Sequence, residues 1–148
     1  IEDEAIRKKC MFKIHDRLAP EIRRAYQFNA TRMERYIVAC YEGEHGGHFR
    51  AHRDNTTKAT AHRRFAVSLN LNDEYDGGCV WFPEFGKKLF KPPAGGAVVF
   101  SCSLLHEATP VTRGKRYVYL PFLYDDEAAR IRESNQQFLG GNINAPPV

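Results

Sequence analysis

The chain has 148 residues, 43% of them apolar and 27% charged, with a formal net charge of +4. That length suits one domain with its own core, and the balance is that of an ordinary globular chain, which excludes disordered and fibrous classes. No run of 18 apolar residues offers a membrane span, and the 22 Lys and Arg residues are scattered without the interleaved aromatics of a nucleic-acid groove.

In chain order, residues 1–13 read as an extended or frayed lead-in. Asp16 is placed to cap a helix over about 17–28. Leu18, Ile22, Ala25 and Tyr26 recur there at helical spacing, and Pro20 is tolerated in the first turn. Residues 33–41, dense in Val, Ile and Tyr, predict a strand. A Gly-containing loop over 42–47 follows, then an extended segment over 48–54 and a polar loop over 55–62. Strands are predicted over 65–71, 79–83 and 97–100, with turns at 73–78 and 91–96 and a short hairpin return over 86–90. Residues 117–124 form a last apolar strand, where Pro121 predicts an edge or a bulge. Asp125 and Asp126 open a final helix with arginines further along, as the helix dipole prefers. A Gly/Asn/Pro tail closes the chain over 140–148.

The expected organisation is therefore one domain over 1–148. It comprises a lead-in and helix (1–32), a β core (33–124), and a C-terminal helix and tail (125–148). Many short strands with Gly/Pro turns predict a mainly β, α+β architecture with flanking helices, a closed or double-sheet form such as a jelly roll. The chain opens without an initiator Met and without a basic-then-apolar leader; it is expected to be the C-terminal part of a longer protein. Cys10, Cys40, Cys79 and Cys102 include no C-x-x-C pair. The last three sit in apolar runs and read as buried free thiols, which fits a reducing, cytoplasmic compartment.

His52-Arg53-Asp54 carries the chemistry. On an extended segment, side chains at i and i+2 share a face, so His52 and Asp54 can point together. His106 lies 52 residues beyond Asp54. Two imidazoles and one carboxylate suit a facial Fe(II) triad with open positions, although zinc accepts the same donors. Arg116, ten residues past His106, is a permanent cation able to grip a carboxylate with two prongs. On a strand, the adjacent Lys115 points to the opposite face. His45 and His48, in the loop before the triad, are candidates for touching substrate.

With these residues in this order, the run from about 36 to 124 resembles the prolyl 4-hydroxylase-like branch of the Fe(II)/2-oxoglutarate-dependent dioxygenases. The matching pieces are Arg35-Tyr36 through Tyr41, His52-Arg53-Asp54, and Ser68-Leu69-Asn70-Leu71-Asn72. Gly77-Gly78 before Trp81-Phe82-Pro83, Pro92-Pro93 through Phe100, and His106 through Arg116 complete them. The resemblance implies a double-stranded β-helix (a cupin-like jelly roll) and a triad of His52, Asp54 and His106 holding Fe(2+). It implies that Arg116 binds the distal carboxylate of 2-oxoglutarate, that Tyr41 lines the cosubstrate pocket, and that Asn70 stands where relatives carry a hydroxyl donor. The intact Asp54 favours hydroxylation over halogenation. The implied activity is hydroxylation of an unactivated C–H bond, coupled to oxidative decarboxylation of 2-oxoglutarate to succinate and CO2. O2 is the second cosubstrate, ascorbate the reductant, and the substrate a protein or peptide prolyl residue, an amino acid or a small metabolite. Left open are a non-catalytic cupin-like metal-binding module, a zinc-dependent hydrolase, and a sensor of oxygen or 2-oxoglutarate.

Overall fold

The apolar segments pair into two curled antiparallel sheets. The computed structural model describes residues 1–43 and 49–136. In chain order it places strands β1 (Arg32–Glu34), β2 (Val38–Glu42), β3 (Phe49–His52), β4 (Phe65–Asn70), β5 (Tyr75–Gly77) and β6 (Val80–Trp81). Then come β7 (Leu89–Phe90), β8 (Ala97–Ser101), β9 (His106–Ala108), β10 (Val111–Tyr119) and β11 (Phe122–Tyr124). The larger sheet runs β1-β11-β4-β10-β2, with β8 on β4 and β5 on β10; the smaller runs β3-β9-β6-β7. This is the mainly β, jelly-roll architecture expected from the many short strands.

Strand β4 is covered on both faces, so its sequence is almost continuously apolar. Phe65 and Val67 face the helices and pack with Ile14, Ile22, Tyr119 and Leu123. Ala66 faces the other sheet, in a cluster with Val80, Phe82, Phe100, Cys102 and Phe122. Each large apolar side chain buried this way contributes about 1.5–3 kcal/mol, so the two clusters clamp β4 from either side.

Several local expectations need correction. Helix α1 (Glu4–Arg17) takes up most of residues 1–13, where an extended or frayed lead-in was predicted, and runs on to the start of the predicted helix. Asp3 caps it by accepting from the Ile6 N–H at 2.8 Å, and Glu4 pairs with Lys8 at 2.8 Å. The helix lacks an apolar stripe, and only Ile14 on it is buried. Asp16 therefore lies inside α1 and caps nothing; α2 (Ala19–Tyr26) starts from Leu18, with Pro20 in its first turn. The predicted turn over 73–78 holds β5, which hydrogen bonds to β10. Helix α3 (Asp126–Ser134) starts as predicted, its first turn capped by the Asp125 carboxylate on the Ala128 N–H at 2.8 Å.

The predicted strand over 33–41 is two strands, and so is the one over 117–124. Pro121 cannot donate to a ladder, and the chain breaks there between β10 and β11. The facing chain breaks as well: Glu34 pairs with Phe122 and Val38 with Tyr119, so residues 35–37 oppose only 120–121. One extra residue is a β-bulge, and Arg35 takes it up with a left-handed φ of 65°.

Glu34 ties this region together. Its carboxylate meets Arg63 Nε at 2.8 Å, His62 Nε2 at 2.9 Å and Arg132 Nε on α3 at 3.3 Å. Burial alone would push its pKa up. The close contact with His62 and the hydrogen bond from Arg63 outweigh that and hold it at about 2, against an ordinary 4.5. A depressed carboxylate stabilises the fold fully above the unfolded pKa and loses that contribution as pH falls through the folded one. Glu34→Gln is expected to cost about 3 kcal/mol of unfolding free energy at neutral pH. In urea titrations the gap between variant and native protein should close as pH falls from 4.5 towards 2; a gap independent of pH would refute the assignment.

All four cysteines are free thiols, but only Cys102 is buried; Cys10 and Cys79 are half-buried and Cys40 is exposed. The apolar neighbours of Cys40 and Cys79 belong to strands with one open face, which the local run did not reveal. Among the described residues, no helix is long and apolar enough to cross a membrane.

Candidate active site

Cross-strand pairing delivers the two histidines. His52 ends β3 and His106 begins β9, and the two stand directly opposite each other in the antiparallel register. Their ring centroids lie 4.4 Å apart. Asp54 follows β3 by two residues, and its N–H donates to the Cys102 carbonyl at 2.9 Å. Between His52 and Asp54, Arg53 turns the other way, to the Ser103 carbonyl and to Glu84 at 2.7 Å. His52 Nε2 sits 3.3 Å from one Asp54 oxygen, and His106 Nε2 sits 3.4 Å from the other. One donor atom from each of the three residues lies within 4.8 Å of the others.

The far ring nitrogens are committed. His52 Nδ1 bonds to the Arg50 carbonyl at 2.8 Å and His106 Nδ1 to the Leu104 carbonyl at 3.1 Å. A carbonyl can only accept, so each Nδ1 carries the proton and each Nε2 keeps a lone pair aimed at Asp54. This backbone support is what orients histidine ligands on a metal. The two rings differ in electrostatics although they share one carboxylate. The hydrogen bond that a protonated His52 donates to Asp54 raises the pKa of His52, whose side chain is 36% exposed. Burial lowers that of His106, which is 11% exposed.

Arg116 occupies the opposite wall and is 2% exposed. It projects inward from β10 between outward-facing Lys115 and Tyr117. Lys115 pairs with Glu42 on the outer face at 2.8 Å, as strand alternation requires. Arg116 Nε and Nη2 donate to Asn70 Oδ1 at 3.1 and 3.0 Å, and Nη2 also donates to Ser68 Oγ at 2.8 Å. Tyr41 pairs with Arg116 across β2 and β10, with the guanidinium 5.8 Å from its ring centre. Burial raises the Tyr41 pKa, so the phenol stays a proton donor.

A cavity of about 80 Å³ connects these groups. His52, Asp54, His106, Tyr41, Ser68 and Arg116 line it, closed by the apolar side chains of Ala66, Val80, Phe100, Leu120 and Phe122. Asn70 takes a different part from the one its position suggested. It lies outside the lining, its amide donates to the Pro92 carbonyl at 2.7 Å, and its oxygen holds Arg116. The hydroxyl facing the cavity is Ser68, two residues earlier on the same strand face. It accepts from Arg116 and keeps its own proton to donate. Only the hydrogen-bond partner of Asn70 reveals this; the pattern Ser68-Leu69-Asn70 places both side chains inward. His45 and His48 lie outside the described residues, as does the tail over 140–148.

Gly78 was legible only as part of a Gly77-Gly78 turn. It has φ of 61°, and a Cβ on it would meet Arg116 Cδ at 2.9 Å and Tyr75 Cε2 at 3.1 Å. Gly78→Ala is expected to displace the guanidinium and weaken carboxylate binding in the cavity by about tenfold, with a smaller loss of stability. Calorimetric titration with 2-oxoglutarate checks this, and an unchanged affinity would show that the space beside Arg116 is not limiting.

The model of the 2OG-Fe(II) oxygenase superfamily matches residues 36–124. The PKHD-type hydroxylase PiuC of Pseudomonas aeruginosa is 33% identical over 112 residues, 70% of this chain and 47% of that protein. A PKHD-type hydroxylase of a Synechococcus strain is 32% identical over 88 residues, 55% of this chain and 38% of that one. The chain thus spans less than half the length of these curated relatives. A prolyl hydroxylase of Trichoplax adhaerens, solved with a hypoxia inducible factor peptide fragment, has the same fold. Its TM-score is 0.63 at 21% identity, over 84% of this chain and 57% of that one. A Pseudomonas putida prolyl-4-hydroxylase also scores 0.63, at 23% identity, over 83% of this chain and 66% of that one.

Proposed function

This chain belongs to the 2OG-Fe(II) oxygenase superfamily, and from that premise we propose that it hydroxylates an unactivated C–H bond of a prolyl residue, an amino acid or a small metabolite. His52, Asp54 and His106 would hold Fe(2+), and Arg116 would anchor the distal carboxylate of 2-oxoglutarate. The observation that carries the reading is the convergence of three donor atoms, with both imidazole Nδ1 atoms already spent on backbone carbonyls. When bound, Fe(2+) and 2-oxoglutarate supply dioxygen activation: the keto acid becomes succinate and CO2, one oxygen atom going to succinate and one to the substrate.

The chain's own residues bind, orient and keep water out. His52 and His106 offer neutral Nε2 donors of fixed direction. Asp54 would lend the metal one negative charge, and a set of only these three donors would leave room for the cosubstrates. Ser68 and Tyr41 supply hydroxyl donors beside Arg116, so a carboxylate there would receive charge-assisted and neutral hydrogen bonds together. The apolar lining lowers the local dielectric, which strengthens these contacts and protects reactive species from water. The cupin-like binding module and the zinc hydrolase give the buried Arg116 no carboxylate to grip, so they are the weaker readings. The peptide bound to the Trichoplax neighbour keeps a prolyl peptide among the substrates to be screened.

The test is anaerobic reconstitution with Fe(2+) and 2-oxoglutarate, followed by aerobic assay for succinate and a mass screen of proline-containing peptides, amino acids and carboxylic acids for gain of one oxygen. Iron-dependent succinate is the expected result. A protein that binds iron yet neither binds 2-oxoglutarate nor releases succinate with any candidate would overturn the reading.

A further inference from the structure

The bulge opposite Pro121 has a specific product: it turns Arg35 into the cavity. Arg35 lines the same space as His52, Asp54 and His106, yet lies on the far side of a strand break from Tyr41. Its backbone is left-handed, with φ of 65°. For a residue with a Cβ, that conformation costs about 1–2 kcal/mol. Bulges beside active sites commonly re-aim one side chain, and strain at such a place points towards function.

The electrostatics at Arg35 are also unfavourable. Its guanidinium and that of Arg63 both lie over the ring of Phe122, at 5.6 and 4.0 Å from its centre. Arg63 is matched by Glu34. Arg35, half-buried, makes no hydrogen bond or ion pair with any of the described residues, although a guanidinium carries five N–H donors. Burial, and then the charge of Arg63, lower its pKa, which measures the cost of holding a cation there. The acids that act on it, Asp54 and Glu34, are engaged elsewhere: Asp54 with the two histidines, and Glu34 with Arg63, His62 and Arg132.

A strained, like-charge-crowded guanidinium with unused donors, facing the cavity beside the triad, is built to receive an anion. Arg116 already serves the cosubstrate on the proposed reading. We propose that Arg35 is the specificity determinant for the hydroxylated substrate, and that it selects substrates carrying a carboxylate. This rests on the oxygenase reading above and adds the chemical class of the substrate. The carboxylate belongs to a free amino acid or to an acidic side chain in a peptide, and both present the same two oxygens to the guanidinium fork.

The test compares matched probes on the Zn(2+)-loaded protein with 2-oxoglutarate present, where binding is read without turnover. L-Proline is set against L-prolinamide, and a proline peptide with a neighbouring Asp against its Asn counterpart. Binding is followed by NMR titration. In the native protein, one of the two carboxylate probes should bind about tenfold or more tightly than its amide partner; which pair shows the preference identifies the source. Arg35→Gln should abolish that preference and leave the 2-oxoglutarate Kd within about twofold, the scale of weak surface effects. Arg35→Asn, a residue type that tolerates this φ, should do the same with an unchanged Tm. The proposal is overturned if neither pair shows a preference, if the preference survives both variants, or if both variants collapse the Tm. It is also overturned if they weaken 2-oxoglutarate binding instead, because Arg35 would then serve the cosubstrate. Failure of the oxygenase reading looks different: the native protein itself would not bind 2-oxoglutarate.

Discussion

His106→Ala abolishes both metal binding and succinate formation. On the proposed reading His106 supplies one of the three protein donors found among the described residues, and the two that remain, with His52 partly open to solvent, would not hold Fe(2+) against water. The loss should exceed the 10- to 100-fold attributed to supporting residues, and should reach the limit of detection. His52→Ala is expected to match it. Metal content after dialysis, read by atomic emission, checks the claim independently of any substrate. Removing His106 also takes a ring from beside Phe100, whose centroid is 4.5 Å away, so thermal unfolding must accompany the assay. If either variant, still folded, retains full iron content and turnover, the triad is misassigned. His106→Gln separates the two effects by keeping a side chain of similar reach.

Arg116→Ala is expected to weaken 2-oxoglutarate binding by about 30- to 4,000-fold, from the roughly 2–5 kcal/mol that removal of a buried charge partner costs. Iron binding should be nearly untouched, because the guanidinium is held by Asn70 and Ser68 and contacts none of the three ligands. Arg116→Lys should recover only part of the loss, since a point charge cannot reproduce the two-pronged grip or satisfy Asn70 and Ser68 together. The direct measure is the 2-oxoglutarate Kd, with the iron Kd as internal control. A variant in which both constants change together would mean that Arg116 supports the sheet rather than the ligand. A variant with an unaltered 2-oxoglutarate Kd would place the distal carboxylate elsewhere.

The two experiments divide the site. On the proposed reading, one removes the metal and so everything that depends on it, and the other removes one end of the cosubstrate cradle. Arg35 falls outside both sets, which is why its own test reads substrate discrimination.

Much of this could be read before any coordinates. His52 and Asp54 share a face because extended backbone alternates, and Lys115 turns away from Arg116 for the same reason. The mainly β architecture followed from short apolar runs punctuated by Gly and Pro. What failed was local too. Helix α1 escaped because its faces are mostly exposed and its start depends on the single cap from Asp3. The part played by Asn70 was not legible, because an inward-pointing amide can serve either a ligand or another side chain, and only the positions of Pro92 and Arg116 show which partners it has.

By itself, the order of residues determined the chemical inventory: two imidazoles, one carboxylate, one fixed cation, and the strand periodicity that points them inward. Tertiary structure alone decided which of those groups meet. The β3–β9 register sets His52 against His106, and the β2–β10 register sets Tyr41 against Arg116. A bulge facing Pro121 brings in Arg35. The physical reason is range: alternation acts between neighbours along one chain, whereas register is chosen by the burial of whole strands against partners tens of residues away.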